Sequence, residues 1–111
     1  MEVYVVVNKV MMTGREAVGV YSTPEKAQKY MDRFASKTGY LRHIEKWFVR
    51  GYYQPPDHVF AAHTYRRYED VHVLEGIYSN LPQARRAAGR EGKSIEFSID
   101  ADEETQIFTN K

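Results

Sequence analysis

An internal repeat constrains this chain more than any other feature of its sequence. Residues 2–6 resemble residues 58–62, and residues 19–22 (GVYS) resemble residues 76–79 (GIYS). Ala27 lies five positions after Ser22, and Ala84 lies five positions after Ser79. Ile44-Glu45 matches Ile95-Glu96. The first segments are offset by 56 positions and the second by 57, which predicts one extra residue in the hairpin loop of the second copy. Four matches in one order indicate a tandem duplication.

The first copy has the pattern of strand, strand, helix and strand. A β-branched run at 3–12 predicts a strand buried on both faces, and residues 13–16, with Gly14, predict a turn before a second strand at 17–21. Ser22 or Thr23 then caps a helix with Pro24 in its first turn. The apolar positions 27, 30, 31 and 34 share one helical face. We expect this helix to end at residues 37–39 and a third strand to run over 41–49.

The second copy repeats the plan. It predicts strands at 59–65, 71–78 and 95–99, and a helix over 81–91 that Ser79 or Asn80 caps, that Gly92 closes and that contains Gly89. The fold class is therefore α+β: a tandem β-β-α-β repeat with pseudo-twofold symmetry, a mainly antiparallel sheet and two helices. We expect one domain over 1–111, with repeats at 2–50 and 58–100, a Pro-stiffened linker at 51–57 and an acidic tail or edge strand at 101–111.

These structural motifs resemble a small family of uncharacterised bacteriophage and bacterial β-β-α-β proteins. The resemblance lies in residues 3–7, 19–27 and 44–49 of the first copy and in residues 68–70 and 76–84 of the second. It covers most of the first copy and about two thirds of the second. It implies a phage or mobile-element origin and transfers no catalytic or binding residue.

Composition excludes several classes of protein. The 111 residues include no cysteine, which excludes disulfide scaffolds and thiolate chemistry. The formal net charge is +1, so the whole chain is not a general polyanion binder. The apolar run at 3–7 is far too short to cross a membrane, and no basic segment precedes it. We expect a cytoplasmic protein of a bacterial host without membrane contact; the oligomeric state stays open.

No residue pattern predicts catalysis, a metal or a cofactor. His58 and His63 have an odd separation on one strand and should point to opposite faces, and His43 and His72 lack metal-ligand spacing. Ser22 and Ser79 stand where helix caps are required. We therefore predict no enzyme, no catalytic residue, no metal site and no cofactor; a metal-dependent enzyme is the least supported class.

Arginine and tyrosine together make nucleic-acid binding the alternative function. Arginines neutralise phosphates while tyrosines stack on bases, and a hairpin tip followed by a basic helix face offers both. The candidate contacts are Arg66, Arg67, Arg85, Arg86, Arg90 and Lys93. Between residues 57 and 99, however, acidic residues equal basic ones in number.

Aromatic residues make up 14% of the chain, and several have no core position predicted by periodicity. Tyrosine is common in protein–protein hot spots because it buries a large area at a small entropic cost. The predicted partner-binding residues are Tyr52, Tyr53, Tyr65, Arg66, Arg67 and Tyr68; the linker tyrosines can equally cover the seam between the copies. The predicted function is a non-enzymatic accessory factor that docks on a partner protein.

Overall fold

The computed structural model describes residues 1–35, 41–51 and 58–101. It contains eight elements: β1 (Glu2–Val10), β2 (Gly14–Tyr21), α1 (Pro24–Ala35), β3 (Arg42–Arg50), β4 (His58–Arg66), β5 (Val71–Tyr78), α2 (Leu81–Ala88) and β6 (Lys93–Ser98). Both halves therefore have the predicted order of strand, strand, helix and strand. The predicted helix end at 37–39, residues 52–57 of the linker and residues 102–111 of the tail lie outside the described residues.

The strands form one mixed, mostly antiparallel sheet, and the fold is α+β. β1 lies between β2 and β3, and β4 lies between β5 and β6, with antiparallel pairing in both halves. Parallel pairs join the halves at two places, β3 with β5 and β2 with β5. The backbone also links them where Ser79 N–H donates to the Arg50 carbonyl and Asp100 N–H to the Val20 carbonyl, both at 2.8 Å.

The two hairpins have corresponding irregularities. The register shifts between Val6 and Val7 in β1 and between Ala62 and His63 in β4. In the first hairpin, three residues lie between the last paired residues, Val10 and Gly14. In the second, four residues lie between Arg66 and Val71, so the second loop has the extra residue that the offsets predicted. The first turn lies earlier than predicted, at residues 11–13. There Met11 takes the positive φ of 57°, whereas Gly14 already belongs to β2.

A central apolar core combines residues from both halves, and each helix covers the opposite face of its own half. The central core includes Val3, Val5 and Val7 of β1 together with Val59, Ala61, Ile77 and Phe97. Val6 instead packs with Ala27 and Tyr30 under α1, so residues 5–7 of β1 are buried on both faces as predicted. The predicted buried strand over 3–12 is wrong beyond that point, because residues 8–12 are half-buried or exposed. Ala84 and Ala88 of α2 pack on Ala62.

Local side chains begin both helices, and a glycine ends the second earlier than expected. The Thr23 hydroxyl accepts the Lys26 N–H at 3.2 Å, and Asn80 accepts the Gln83 N–H at 3.0 Å; these are the caps, rather than Ser22 and Ser79. Helix α2 ends at Ala88 because Gly89 adopts φ 79° and donates its N–H to the Arg85 carbonyl. Gly89 is therefore the C-cap, and the prediction that Gly92 closes this helix is wrong.

One of the four repeat matches is out of register in the structure. Ile44 pairs with Val6 and packs under α1, whereas Ile95 pairs with Ala61 and lies in the central core. Because successive strand residues face opposite sides, the two isoleucines point in opposite directions. The residue of β3 that corresponds to Ile95 is Glu45, which pairs with Val5.

Candidate functional site

Both hairpin turns lie at one end of the molecule, here called the hairpin end. β2 and β5 run parallel, with Arg15 opposite Val73, and each begins directly after its turn. A Cβ placed on Gly14 would lie 3.0 Å from the Val71 Cβ, so the bases of the turns are adjacent. Lys9 N–H donates to the Leu41 carbonyl at 2.9 Å, which brings the start of β3 to the same end.

Large apolar side chains are exposed at the hairpin end. Four of the six large hydrophobic side chains that are exposed in the described residues lie there: Met11 (80%), Met12 (99%), Leu41 (73%) and Tyr68 (101%). Met1 and Phe48 lie at the opposite end. The two methionines were not expected here, because the β-branched run predicted a strand through residue 12. The sequence MMTG contains the signal that could have found them, since its Thr and Gly indicate a turn.

Tyr65 is held by its neighbours rather than placed freely at a tip. It lies within β4 opposite His72, and the two ring centroids are 5.1 Å apart. Its hydroxyl donates to Asp70 Oδ1 at 2.6 Å, and this hydrogen bond raises the pKa of Tyr65 above its ordinary value. Tyr65 was expected at the end of a strand over 59–65, and it lies in β4 one residue before that strand ends.

The other predicted partner-binding residues divide into three groups. Arg66 and Tyr68 are exposed at the hairpin end. Arg67 lies beside them, but its guanidinium forms an ion pair with Glu91. Tyr52 and Tyr53 lie outside the described residues.

The residues of the nucleic-acid alternative lie at the second turn, in α2 and in β6 or just before it. Arg85, Arg86 and Arg90 are exposed in α2 and directly after it. Lys93 is mostly buried and forms an ion pair with Glu16 of β2. Because Lys93 and Arg67 already have carboxylate partners, four of the six predicted cations retain a charge without an ion pair among the described residues.

Glu45 is the hub of a polar cluster on the inner face of β3. Its carboxylate accepts Arg15 Nη2 at 2.6 Å, Arg15 Nε at 3.1 Å, Trp47 Nε1 at 3.0 Å and a ring nitrogen of His43 at 2.5 Å. Burial raises the pKa of Glu45, but the hydrogen bonds from Arg15, His43 and Trp47 outweigh it and hold the pKa below its ordinary value. A carboxylate with this many donors is a poor general base, so the cluster supports the fold.

His63 is fully buried and joins the two halves. Its Nε2 accepts the Ala17 N–H at 3.0 Å, and its Nδ1 has no hydrogen-bond partner in the described part of the chain. Burial, and next the nearby Lys93, lower the pKa of His63 to about 4, so the imidazole is neutral at pH 7. His58 is exposed and lies in the row of Phe60, which packs toward α2, so the two histidines point to opposite faces as predicted.

Comparison with protein-family models, with curated proteins and with solved structures finds no match to this chain. Within residues 1–35, 41–51 and 58–101, no three or more His, Asp or Glu side chains are grouped so as to hold a metal ion. No helix in the same ranges has the length and apolar character needed to span a membrane.

Proposed function

We propose that this protein is a non-enzymatic binding protein that docks on a partner protein through its hairpin end. The observation that carries the proposal is the exposure of Met11, Met12, Leu41 and Tyr68 at one end of the molecule. Scattered exposed apolar residues are normal, but a group of them on adjacent turns is a feature of interaction sites.

The scaffold beneath these side chains favours binding. The contact of Tyr65 with His72 and its hydrogen bond to Asp70 fix the second turn, so little entropy is lost when a partner orders it. Methionine side chains adapt to varied apolar surfaces, and an exposed tyrosine such as Tyr68 is a frequent hot-spot residue. Arg66 adds a cation at the edge of the apolar group.

A capture experiment with matched variants tests the proposal. The immobilised protein is exposed to extract of its host cell, and captured proteins are quantified for the wild type, for Met12→Ser with Tyr68→Ser, and for the control Phe48→Ser at the opposite end. We expect the double variant to lose at least tenfold of one captured protein and the control to retain it, because hot-spot truncations cost about 2–4 kcal/mol in binding. Equal capture by all three proteins would contradict the proposal.

Nucleic-acid binding is the second candidate. It is favoured by Arg66, Arg85, Arg86 and Arg90, which are exposed and form no ion pair within residues 1–35, 41–51 and 58–101. Fluorescence anisotropy with single-stranded DNA and RNA at two salt concentrations tests it. Affinity that falls steeply with salt, and that falls again in Arg85→Glu with Arg86→Glu, would support this candidate. Binding that is absent at low salt would exclude it.

The proposal also includes three statements about origin and place. The same element order and the corresponding bulges support a duplicated unit with pseudo-twofold symmetry. Superposition of residues 2–50 on residues 58–100 in a crystal structure tests this. A phage or mobile-element origin rests on the sequence resemblance. The bacterial cytoplasm, as the place of action, is testable by cell fractionation.

A further inference from the structure

Two of the four methionines in this chain lie in the first hairpin turn. Met11 is 80% exposed and Met12 is 99% exposed. Met1 is 40% exposed, and Met31 is half-buried and packs on the apolar cluster under α1. Because the sequence contains no cysteine, methionine is its sole sulfur-containing residue. The turn therefore presents two thioether groups to solvent.

Formation of the turn does not account for these methionines. Met11 adopts φ 57°, in the left-handed region where glycine, asparagine or aspartate is favoured. The second turn has Asp70 at φ 56°, a residue type that tolerates this conformation. Met12 buries almost none of its side chain, so it contributes little hydrophobic stabilisation. The two methionines thus point to a role outside folding.

Docking explains an apolar side chain at this position but not the choice of sulfur. Leucine is equally apolar, and Leu41 is exposed at the same end. Methionine differs from leucine in two properties of its thioether. The sulfur is polarizable and adapts to varied surfaces, and it accepts an oxygen atom from a peroxide. The second property makes the hairpin end sensitive to oxidants.

Hydrogen peroxide oxidises a thioether in one balanced step. A sulfur lone pair attacks one peroxide oxygen, so that the S–O bond forms as the O–O bond breaks. The hydroxide that leaves takes up the proton of the transferred hydroxyl group and becomes water. The product is a polar sulfoxide. At an exposed turn the sulfoxide stays hydrated, whereas in an apolar interface it would lose its water and gain no matching donor.

We propose that Met11 and Met12 are sites of reversible oxidation by peroxide, and that their sulfoxides release the partner docked at the hairpin end. The release rests on the proposed docking function, whereas the modification sites do not. Exposure sets the order of reaction, with Met12 and Met11 first and Met31 last. The same exposure gives methionine sulfoxide reductases access to both residues, which makes the modification reversible.

Peptide mapping by mass spectrometry tests the modification sites. The folded, full-length protein is treated with dilute hydrogen peroxide, and the oxidation of each methionine is followed with time. We expect Met11 and Met12 to react about fivefold faster than Met31, because packing under α1 limits access to the Met31 sulfur. In urea the three rates should become equal. Equal rates for Met31 and Met12 in the folded protein would overturn the assignment.

Capture with an oxidised bait tests the release. The immobilised protein alone is treated, and the peroxide is removed before host extract is added. The protein that Met12→Ser with Tyr68→Ser fails to capture should also fall about fivefold after oxidation, because polar sulfoxides replace two apolar side chains. Reductases for both sulfoxide epimers, applied to the oxidised bait, should restore its capture. Melting curves should show that oxidation leaves the bait folded.

Leucine variants provide the matched controls. Met11→Leu with Met12→Leu keeps two apolar side chains that peroxide does not modify, so it should capture the same protein before and after treatment. Met31→Leu should remain as sensitive to peroxide as the wild type. These two variants separate oxidation at the hairpin end from oxidation elsewhere in the chain.

Two results would overturn the release. Equal sensitivity of the wild type and the double leucine variant would assign the effect to other residues. Full capture by a bait whose Met11 and Met12 are sulfoxides in the peptide map would show that docking tolerates them. An untreated wild type that captures no protein through the hairpin end would contradict the docking function and with it the release, while the peptide map still decides the modification sites.

Discussion

The third strands of the two halves occupy corresponding places but present different chemistry to the shared core. In β3, Trp47 pairs with Val3 and Glu45 with Val5; in β6, Phe97 pairs with Val59 and Ile95 with Ala61. The row in β6 is buried and apolar, whereas Glu45 gathers Arg15, His43 and Trp47 around a carboxylate. One strand framework thus accepts a polar row when its charged centre is saturated with donors.

The largest expected effect on stability comes from truncating one aromatic residue in each of the two rows. Phe97→Ala should lower the free energy of unfolding by about 3–5 kcal/mol, because its fully buried ring leaves a cavity. Trp47→Ala should cost about 1–3 kcal/mol, since the indole is only half-buried and partly water-exposed. Chemical denaturation measures both, and equal costs would mean that both rows are equally part of the core.

The second comparison concerns His63, whose corresponding residue in the first half is Val7. An unfolded histidine has a pKa near 6.5, and the folded value is about 4, so the unfolded state binds the proton more readily between these values. Stability should be at its full value above pH 6.5 and fall by about 3 kcal/mol as the pH drops to 4.

His63→Gln retains an acceptor for the Ala17 N–H but cannot titrate, and it provides the control. Urea denaturation at several pH values should show a pH dependence between 6.5 and 4 that is smaller in the variant by about 3 kcal/mol. If the free energy of unfolding changed with pH by the same amount in the wild type and in the variant, the titration of His63 would not contribute to stability.

A smaller effect is expected at the polar hub. Glu45→Gln should cost about 1–3 kcal/mol, because it removes the charge that Arg15 and His43 share. Since the folded pKa of Glu45 is lowered, its contribution is present above the ordinary value of 4.5 and is lost as the pH falls below it. The difference between wild type and variant, measured by denaturation, should therefore shrink in acid. If the difference in the free energy of unfolding did not change with pH, the loss of stability would come from packing and not from the charge of Glu45.

The strand and helix order was predictable because its signals are local. The β-branched run of β1, the turn residues and the first-turn Pro24 each act within a few positions. The facing of Ile44 was not predictable, because His43, Glu45 and Lys46 hide the alternation of β3, and only the pairing with Val6 fixes it. Likewise the early end of α2 depends on the backbone of Gly89, which the helical pattern does not reveal.

The candidate site was predictable only in part. Tyr68 was expected at an exposed turn and is found there, and Arg66 is exposed at the last position of β4, directly before that turn. The adjacency of the other turn was not, because the parallel contact of β2 with β5 joins residues far apart in sequence. The ion pair of Glu16 with Lys93 was not predictable for the same reason, because it joins β2 to β6, which are far apart in sequence.

The smallest expected effect is on folding at the hairpin end. Met12→Ser and Tyr68→Ser should each change the free energy of unfolding by less than about 0.5 kcal/mol, because both side chains are almost fully exposed. Denaturation curves test this. A larger loss would show that these residues support the turns, so that lost capture would reflect folding.

Site-specific photocrosslinking tests docking at the hairpin end most directly. A benzophenone amino acid is placed at position 12, 68 or 48 of the full chain, and the protein is irradiated in its host cell. Docking at the hairpin end predicts one partner protein crosslinked from positions 12 and 68 and absent from position 48. A partner crosslinked from position 48 alone, or no crosslinked protein from any position, would contradict it.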